Sequence, residues 1–535
     1  MEKALEMGKN SAVGSFQLFI GKILSTVILA VGTIILGIFI QEGEYGLYAI
    51  ALIPAVTILL FQDWGVGSAM TKYCAQYRAI HKEGDLRKII VAGLTFEVAT
   101  GLALTVLSLL MANFVASTIF GKPESAFLMT LASITILSTS LFMASQSIFV
   151  GFERMKLSSY TMICQATTQC VLSPLLVYLG YGALGAILGY TFSILVAGIV
   201  ATTLLYFAIF RKLDASTTNT SNASQTLKPL LRYGIPLAIA AILGGILPQF
   251  YSFVMASFVD VAVIGNYRIA TNFAILLTFF TVPISTVLFP AFSKLDPRNE
   301  QQLLKTVFTS SVKYTALFLV PATMALLVLS QPMISTIYGD KWLYAPFFLT
   351  LGVIGNLLAI FGNLSMGSLL SGLGETKMLM KLNILTLGIG IPLALLLIPP
   401  LGIPGVIVVS IAAGVPSMFI SLYWTWKRYG TKVDFRASAK IFLASTIAAI
   451  TTYLFLNVFT AAAWITFTTG VILFLATYLI AAPLIGAINQ TDVNNLRAMF
   501  SGLGIISKLL EIPLTIVEKP LKTRDQHAEI KKQQN

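Results

Sequence analysis

Charge is scarce in this 535-residue chain: Asp, Glu, Lys and Arg make up 11% of it, against 56% hydrophobic residues. Soluble domains carry roughly 25% charged residues, so a water-surrounded globule is excluded. Histidine is scarcer still, with only His81 and His527, both in segments read as cytoplasmic and far from any cluster. Cys74, Cys164 and Cys170 form neither a metal-ligand spacing nor an extracytoplasmic pair, so neither a metal site nor a disulfide is expected. No Gly-x-x-x-x-Gly-Lys-Ser/Thr loop occurs, which excludes ATP-driven pumping through a P-loop of this chain. A membrane glycosyltransferase would carry an acidic metal-binding pair and a sizeable outer domain, whereas Asp260 and Asp340 stand alone. These absences point away from an enzyme and a resident cofactor, and toward a transporter.

What is abundant is uninterrupted apolar sequence. Residues 23–41 carry no charge, and neither do residues 441–491, enough for two spans about Asn457–Thr460. A spanning helix needs roughly 20 such residues. Continuous runs also exclude the alternating pattern of a membrane barrel. The first run is too long for a cleaved signal and reads as a retained span. Fourteen spans are expected, from about 14–40 to about 463–486, in an all-α polytopic membrane protein.

Landmarks recur about 220 residues apart. Gly46-Leu47-Tyr48-Ala49-Ile50-Ala51 returns as Gly265-Asn266-Tyr267-Arg268-Ile269-Ala270. Ser147, Gly151 and Glu153 return as Ser368, Gly372 and Glu375, while Pro174 with Gly182-x-x-Gly185 returns as Pro392 with Gly402-x-x-Gly405. Six spans separate the copies, and an even number keeps their orientation, so the halves are expected to be parallel repeats. The expected organisation is an N-terminal lobe over 1–220, a C-terminal lobe over 221–430, spans 13–14 within 431–490, and a cytoplasmic amphipathic and charged tail over 491–535.

The formal net charge of +13 is distributed by topology rather than gathered for nucleic acid. The outer loops hold only Lys122, Arg268 and Lys341, Lys22 lies within span 1, and every other Lys or Arg falls on the side of the termini. The positive-inside rule then places both termini in the cytoplasm of a multi-pass protein of the cell membrane. The stretch from Ala215 to Thr226 reads as a flexible linker between lobes, its two asparagine sequons lying on the wrong side for glycosylation. Leu496, Met499, Leu503, Ile506 and Leu510 recur at helical spacing beside Arg497 and Lys508, the pattern of a helix lying on the inner leaflet. From Lys519 the charged end reads as disordered.

Several motifs carry a family resemblance: Glu44-Tyr45-Gly46-Leu47-Tyr48, Asp63-Trp64-Gly65-Val66-Gly67, Gly151-Phe152-Glu153-Arg154, Ile264-Gly265-Asn266-Tyr267 and Gly372-Leu373-Gly374-Glu375-Thr376-Lys377. With fourteen spans in a six-plus-six-plus-two arrangement, the chain resembles the polysaccharide transporter, Wzx-like oligosaccharide flippase branch of the multidrug/oligosaccharidyl-lipid/polysaccharide exporter superfamily, over roughly residues 8–510. The resemblance implies movement of a lipid-linked, usually diphosphate-linked, oligosaccharide to the outer leaflet for surface polysaccharide or glycan synthesis. Its implied partners are that lipid, membrane lipids, and polysaccharide-assembly glycosyltransferases or a polymerase. Spans 13–14 are open to two readings, a surface guiding the lipid tail or simple packing. A cation-coupled multidrug exporter and a peptidoglycan-precursor flippase of the same superfamily are the alternatives, with a non-transporting scaffold further off. Spans 7–12 hold no internal acid, which argues against the drug exporter.

Ionisable groups inside spans are functional hypotheses by default. Lys22 reads as a cavity cation for phosphate, or as a snorkelling or ion-paired side chain. Glu97 is expected to pair with Lys22 or to hold a coupling proton, sodium being the other coupling ion left open. Arg268, with Tyr267 and Asn272 nearby, offers the planar fork that suits phosphate, unless it simply faces outer water. Asp63, beside Gly65 and Gly67, is a gate candidate or a solvated helix end. Gln249 and Asn272, like Gln17, Gln146, Asn356 and Asn363, are positioned to bind sugar or to bridge helices.

Overall fold

The computed structural model describes residues 2–213, 223–459, 461–500, 511, 513–518 and 521. Most of the linker with both sequon positions, Asn219 and Asn222, as well as His527, the tail positions Leu503, Ile506, Lys508 and Leu510, and most of the charged end lie outside them. Among the described residues every regular element is helical, as the apolar runs require: in hydrocarbon a helix satisfies its own backbone.

The chain divides into two compact units, residues 1–268 with 390–406 and residues 269–389 with 407–535. The first unit contains α1 (Glu2–Phe39), α2 (Glu42–Leu59), α3 (Val66–Ala79), α4 (Glu83–Phe114), α5 (Ala126–Gly151), α6 (Met155–Leu176), α7 (Gly182–Ala208), α8 (Ala223–Phe258) and most of α9 (Val261–Ala274). Here α1 packs on α6, α6 on α7, α7 on α5 and α5 on α4. Small residues carry these contacts. A Cβ on Gly32 of α1 would meet the Cys170 Cα of α6 at 2.7 Å, so the backbones touch as membrane helices do at small-residue stripes. The α3–α4 and α5–α6 connections and the end of α7 surround one cavity of about 640 Å³ with Arg78, His81, Arg154 and Lys212 on its wall. These connections therefore share one end of the unit, its basic end.

The second unit contains α10 (Thr278–Ser293), α11 (Gln301–Tyr338), α12 (Ala345–Val353), α13 (Asn363–Gly372), the first half of α14 (Thr376–Leu401), most of α15 (Ile403–Ala412), α16 (Gly414–Tyr429), α17 (Phe435–Val458), α18 (Ala463–Ile485) and α19 (Gln490–Phe500). Val320 of α11, Ala444 of α17, Phe474 of α18 and Leu496 of α19 share one core. The apolar face of α19 is thus buried in protein, with Val493 at 0% and Leu496 at 4% exposure, rather than turned to lipid. A buried ion pair anchors this helix: Lys313 Nζ of α11 lies 2.6 Å from Asp492, whose carboxylate also accepts from the Asn489 backbone.

Among the described residues, eleven stretches are long and apolar enough to cross a membrane, twelve if the bent pair 345–361 and 363–372 forms one span. This makes a multi-pass membrane protein. The fourteen read from hydropathy are not reproduced, for two local reasons. The stretch 155–212 is continuous, yet Gly180 and Gly182 at φ 93° and 49° turn the chain back between α6 and α7. Around 275–277 the chain tightens to a short 3₁₀ turn, leaving α9 and α10 each too short to count.

The repeated landmarks occupy matching positions. Gly151 presses α5 onto Thr71 and Cys74 of α3, and Gly372 presses α13 onto Phe289 and Phe292 of α10. Gly182 and Gly402, at φ 49° and 62°, both open the helix that follows a proline-bearing span. Within the first unit Gly46 and Gly265 meet each other. A Cβ on Gly46 would overlap the Val261 carbonyl, and one on Gly265 would overlap the Glu42 carbonyl. Gly265→Val should therefore destabilise the protein by about 1–3 kcal/mol through overpacking against backbone. Gly367→Ala faces open space in α13 and should be neutral or mildly stabilising. Melting temperatures of the two variants in detergent check the contrast.

Candidate functional site

One helix carries most of the chemistry. At its Glu42 end, α2 presents Tyr45 and Tyr48, their rings stacked with centroids 5.8 Å apart, and Tyr190 of α7 meets Tyr48 edge-on at 6.5 Å. The Gly46–Gly265 approach brings α9 against this cluster. The Arg268 guanidinium hydrogen-bonds Tyr45 and lies beside the hydroxyls of Tyr48 and Tyr190, with Tyr267 adjacent in the chain. Tyr45 and Tyr48 are 1% and 4% exposed, whereas solvent reaches Arg268, although protein surrounds it. Arg268 is thus an accessible arginine seated among tyrosine rings.

At the same end, outside the spans, burial holds the Lys122 ammonium below the usual lysine range against the pull of Asp260 and Glu124. Its ammonium donates to the Ala256 carbonyl, tying the α4–α5 connection to α8.

About 14 Å along α2 from Tyr48, at 1.5 Å per residue, the Thr57 hydroxyl lies 3.4 Å from the Gln249 amide oxygen of α8. Two residues further α2 ends, and the chain turns through residues 60–65 before α3 begins. The turn is strained: Trp64 holds φ +48°, a left-handed conformation that disfavours a bulky residue. It stays because Gly65 lies against the Gly234 backbone of α8, and because Asp63 Oδ1 accepts from the Gly67 amide at 2.6 Å to open α3. Gln62 and Asp63 are thereby aimed at Glu97 of α4. Glu97 is 2% exposed, accepts from the Gln62 amide and shares a hydrogen bond with the Asp63 carboxyl. Two carboxyls can share a hydrogen bond only when one of them carries a proton.

Arg268, Gln249, Asp63 and Glu97 are thus gathered along or beside α2. Asn272 sits one helical turn beyond Arg268 on α9, in the second unit by the division of the chain. Lys22 stands apart: it is exposed on α1 and makes no ion pair among the described residues, so the Lys22–Glu97 pairing does not form. Gln146 bridges helices, donating 2.7 Å to Thr161 of α6. Sequence reading missed Tyr45, Tyr48, Tyr190 and Gln62 as site residues. The signal for the first two was the Tyr-Gly-Leu-Tyr spacing, which sets both rings on one side of α2.

These features define a polytopic membrane protein with a polar track inside one helical unit. A family model described as polysaccharide biosynthesis protein matches residues 11–296, more than half of the chain, and the chain belongs to that family. The lipopolysaccharide biosynthesis protein WzxC of Escherichia coli (strain K12) is 25% identical over 382 residues, 69% of this chain and 72% of that one. A probable low-salt glycan biosynthesis flippase of Haloferax volcanii is 22% identical, covering 54% of this chain and 64% of its own length. Among solved structures, the lipid II flippase MurJ in an inward closed conformation matches with TM-score 0.69 at 17% identity, over 88% of this chain and 98% of that one. An inward-facing multidrug resistance MATE family transporter of the MOP superfamily matches with TM-score 0.61 at 16% identity, over 76% and 98%. Both likenesses show the fold.

Gln62→Leu should destabilise the protein by about 1–3 kcal/mol, because buried Glu97 loses its amide donor. Adding Glu97→Leu should recover most of that loss. Thermal melts of the single and double variants check it, and additive losses would contradict the pairing.

Proposed function

We propose that this protein is a flippase that carries a lipid-linked oligosaccharide, joined through a diphosphate, from the cytoplasmic to the outer leaflet by alternating access. The observation that carries the reading is the tyrosine-seated, solvent-reached Arg268. Guanidinium binds phosphate oxygens through paired hydrogen bonds, and tyrosine faces and hydroxyls suit sugar rings. A diphosphate headgroup cannot cross about 30 Å of hydrocarbon bare. A cavity that gives it donors while the lipid tail stays in the bilayer removes most of that barrier. The flippases and surface-polymer biosynthesis proteins among the relatives support the same reading.

In this proposal residues 1–220 and 221–430 act as the rocking lobes, both termini are cytoplasmic, and the membrane is the cell membrane. The hydrocarbon tail has a counterpart in the second unit: an apolar cavity of about 260 Å³ between α11 and α18, lined by Phe318, Phe474, Tyr478 and Leu514. The Asp63–Glu97 pair, with Asp63 in the turn just past the end of α2, serves as the seat of a coupling proton. Lys22 has a lesser part, as a cation met on entry.

Reconstitution into liposomes with a labelled lipid-diphosphate oligosaccharide tests the function. Wild type should expose label at the outer surface, Arg268→Ala should lose at least tenfold in rate, and Arg268→Lys should retain part of it. Gradient-driven export of a cationic dye without flipping would overturn the proposal in favour of drug export. Glu97→Gln should flip without responding to an imposed pH gradient, and an unchanged response would remove the pair from coupling.

A further inference from the structure

A second cation cluster lies at the basic end of the first unit, away from the Arg268 track. There α3 crosses α8 at the Gly65–Gly234 approach, where a Cβ on Gly234 would meet the Gly65 backbone at 2.6 Å. Two turns along α3 from that crossing stand Lys72 and Tyr73, and the preceding turns of α8 carry Lys228, Pro229, Arg232 and Tyr233. The Tyr73 ring meets Tyr233 edge-on at 6.3 Å, and Lys72 Nζ sits 4.0 Å over the Tyr233 ring. Tyr73, Lys228, Pro229, Arg232 and Tyr233 line an open cavity of about 460 Å³.

Basic residues at helix ends are ordinary topology signals, but three properties set this group apart. Lys72, Lys228 and Arg232 are exposed, and none of them forms an ion pair among the described residues. Lys228 and Arg232 line one concavity with Tyr73 and Tyr233, and Lys72 lies at its edge over the Tyr233 ring. The rim continues into exposed apolar side chains: Ile235, Leu237 and Ile239 on α8 are 37%, 44% and 50% exposed, and Trp64 at the crossing is 50% exposed. Tryptophan at such a border suits the headgroup level of a bilayer.

We propose that this cavity binds the phosphate-bearing headgroup of an inner-leaflet lipid, its chains running along the exposed apolar residues of α8. Arg232 supplies the planar fork, Lys72 and Lys228 supply point charges, and the tyrosine hydroxyls supply directional donors. One chemistry admits two sources, an anionic phosphoglycerolipid or a polyprenyl diphosphate awaiting transport, and the site stands whichever is preferred. It also stands independently of the flippase proposal, because it concerns retention of a lipid and not its movement.

Native mass spectrometry of the full chain from detergent tests the site, using phosphatidylglycerol, polyprenyl diphosphate, a fatty acid of equal chain length and inorganic phosphate as probes. Wild type should retain one molecule of a phosphate-bearing lipid, with the fatty acid and free phosphate held at least tenfold less. K72Q/K228Q/R232Q should lose that retention at least tenfold, while the equal charge change K294Q/R298Q/K377Q in the second unit should preserve it. Retention lost equally in both triple variants, or a fatty acid held as well as the phosphate lipids, would overturn the proposal. Preference for polyprenyl diphosphate supports it as a holding site for cargo, and preference for phosphatidylglycerol supports it as a resident-lipid site. Failure of liposome flipping with lipid retention intact would count against the flippase reading alone.

Discussion

The arrangement of the candidate site depends on one close approach, backbone against backbone, where α2 meets α9 at Gly46 and Gly265. Neither position leaves room for a Cβ. Because these residues open the two copies of the repeated motif, the duplication is visible as a physical contact inside the first unit. The contact sets α9 so that Arg268, three residues past Gly265, reaches the rings of Tyr45, Tyr48 and Tyr190. The first copy has Ala49 at the matching position. A repeated scaffold thus carries its cation in one copy only, which gives a symmetric frame an asymmetric electrostatic centre.

The same helix ends at Leu59, and the chain turns through residues 60–65 before α3 begins. Between α2 and α3 the chain holds a left-handed tryptophan, the Gly67 amide donates to Asp63 Oδ1, and Gly65 lies against the α8 backbone. The break has a consequence: it turns Gln62 and Asp63 toward Glu97, an acid that a continuous helix would have left to find another partner. Strain at Trp64 and a shared carboxyl hydrogen bond in one place give the unit a point at which protonation and backbone geometry meet.

Hydropathy and charge made the all-α membrane class legible, because lipid imposes long apolar runs that no soluble fold needs. The repeat was legible for the same reason that it matters: glycines at close crossings tolerate no substitute, so Gly46, Gly151 and Gly182 stand out with their counterparts. Individual partners were less legible. Glu97 looked available to Lys22 because both lie at similar depth, but depth does not specify the facing direction, and the break in span 2 supplied Gln62 and Asp63 instead. The tail helix was read from its apolar spacing, which does not reveal whether the apolar face meets lipid or protein. Asp492 paired with Lys313 across 179 residues decided that for the described part of α19. The tyrosines escaped notice because aromatic residues are common in membrane helices, and only the placement of α7 and α9 shows these rings converging.

The central claim is that Arg268 and its tyrosines receive the diphosphate of a lipid-linked oligosaccharide. A cryo-electron microscopy structure of the protein in a lipid nanodisc with that lipid bound measures it most directly. The account predicts phosphate oxygens about 2.7–3.2 Å from the Arg268 guanidinium, with a sugar ring against Tyr190. A bound lipid whose diphosphate lies away from Arg268, with the tyrosine cluster unchanged and in contact with water alone, would contradict it.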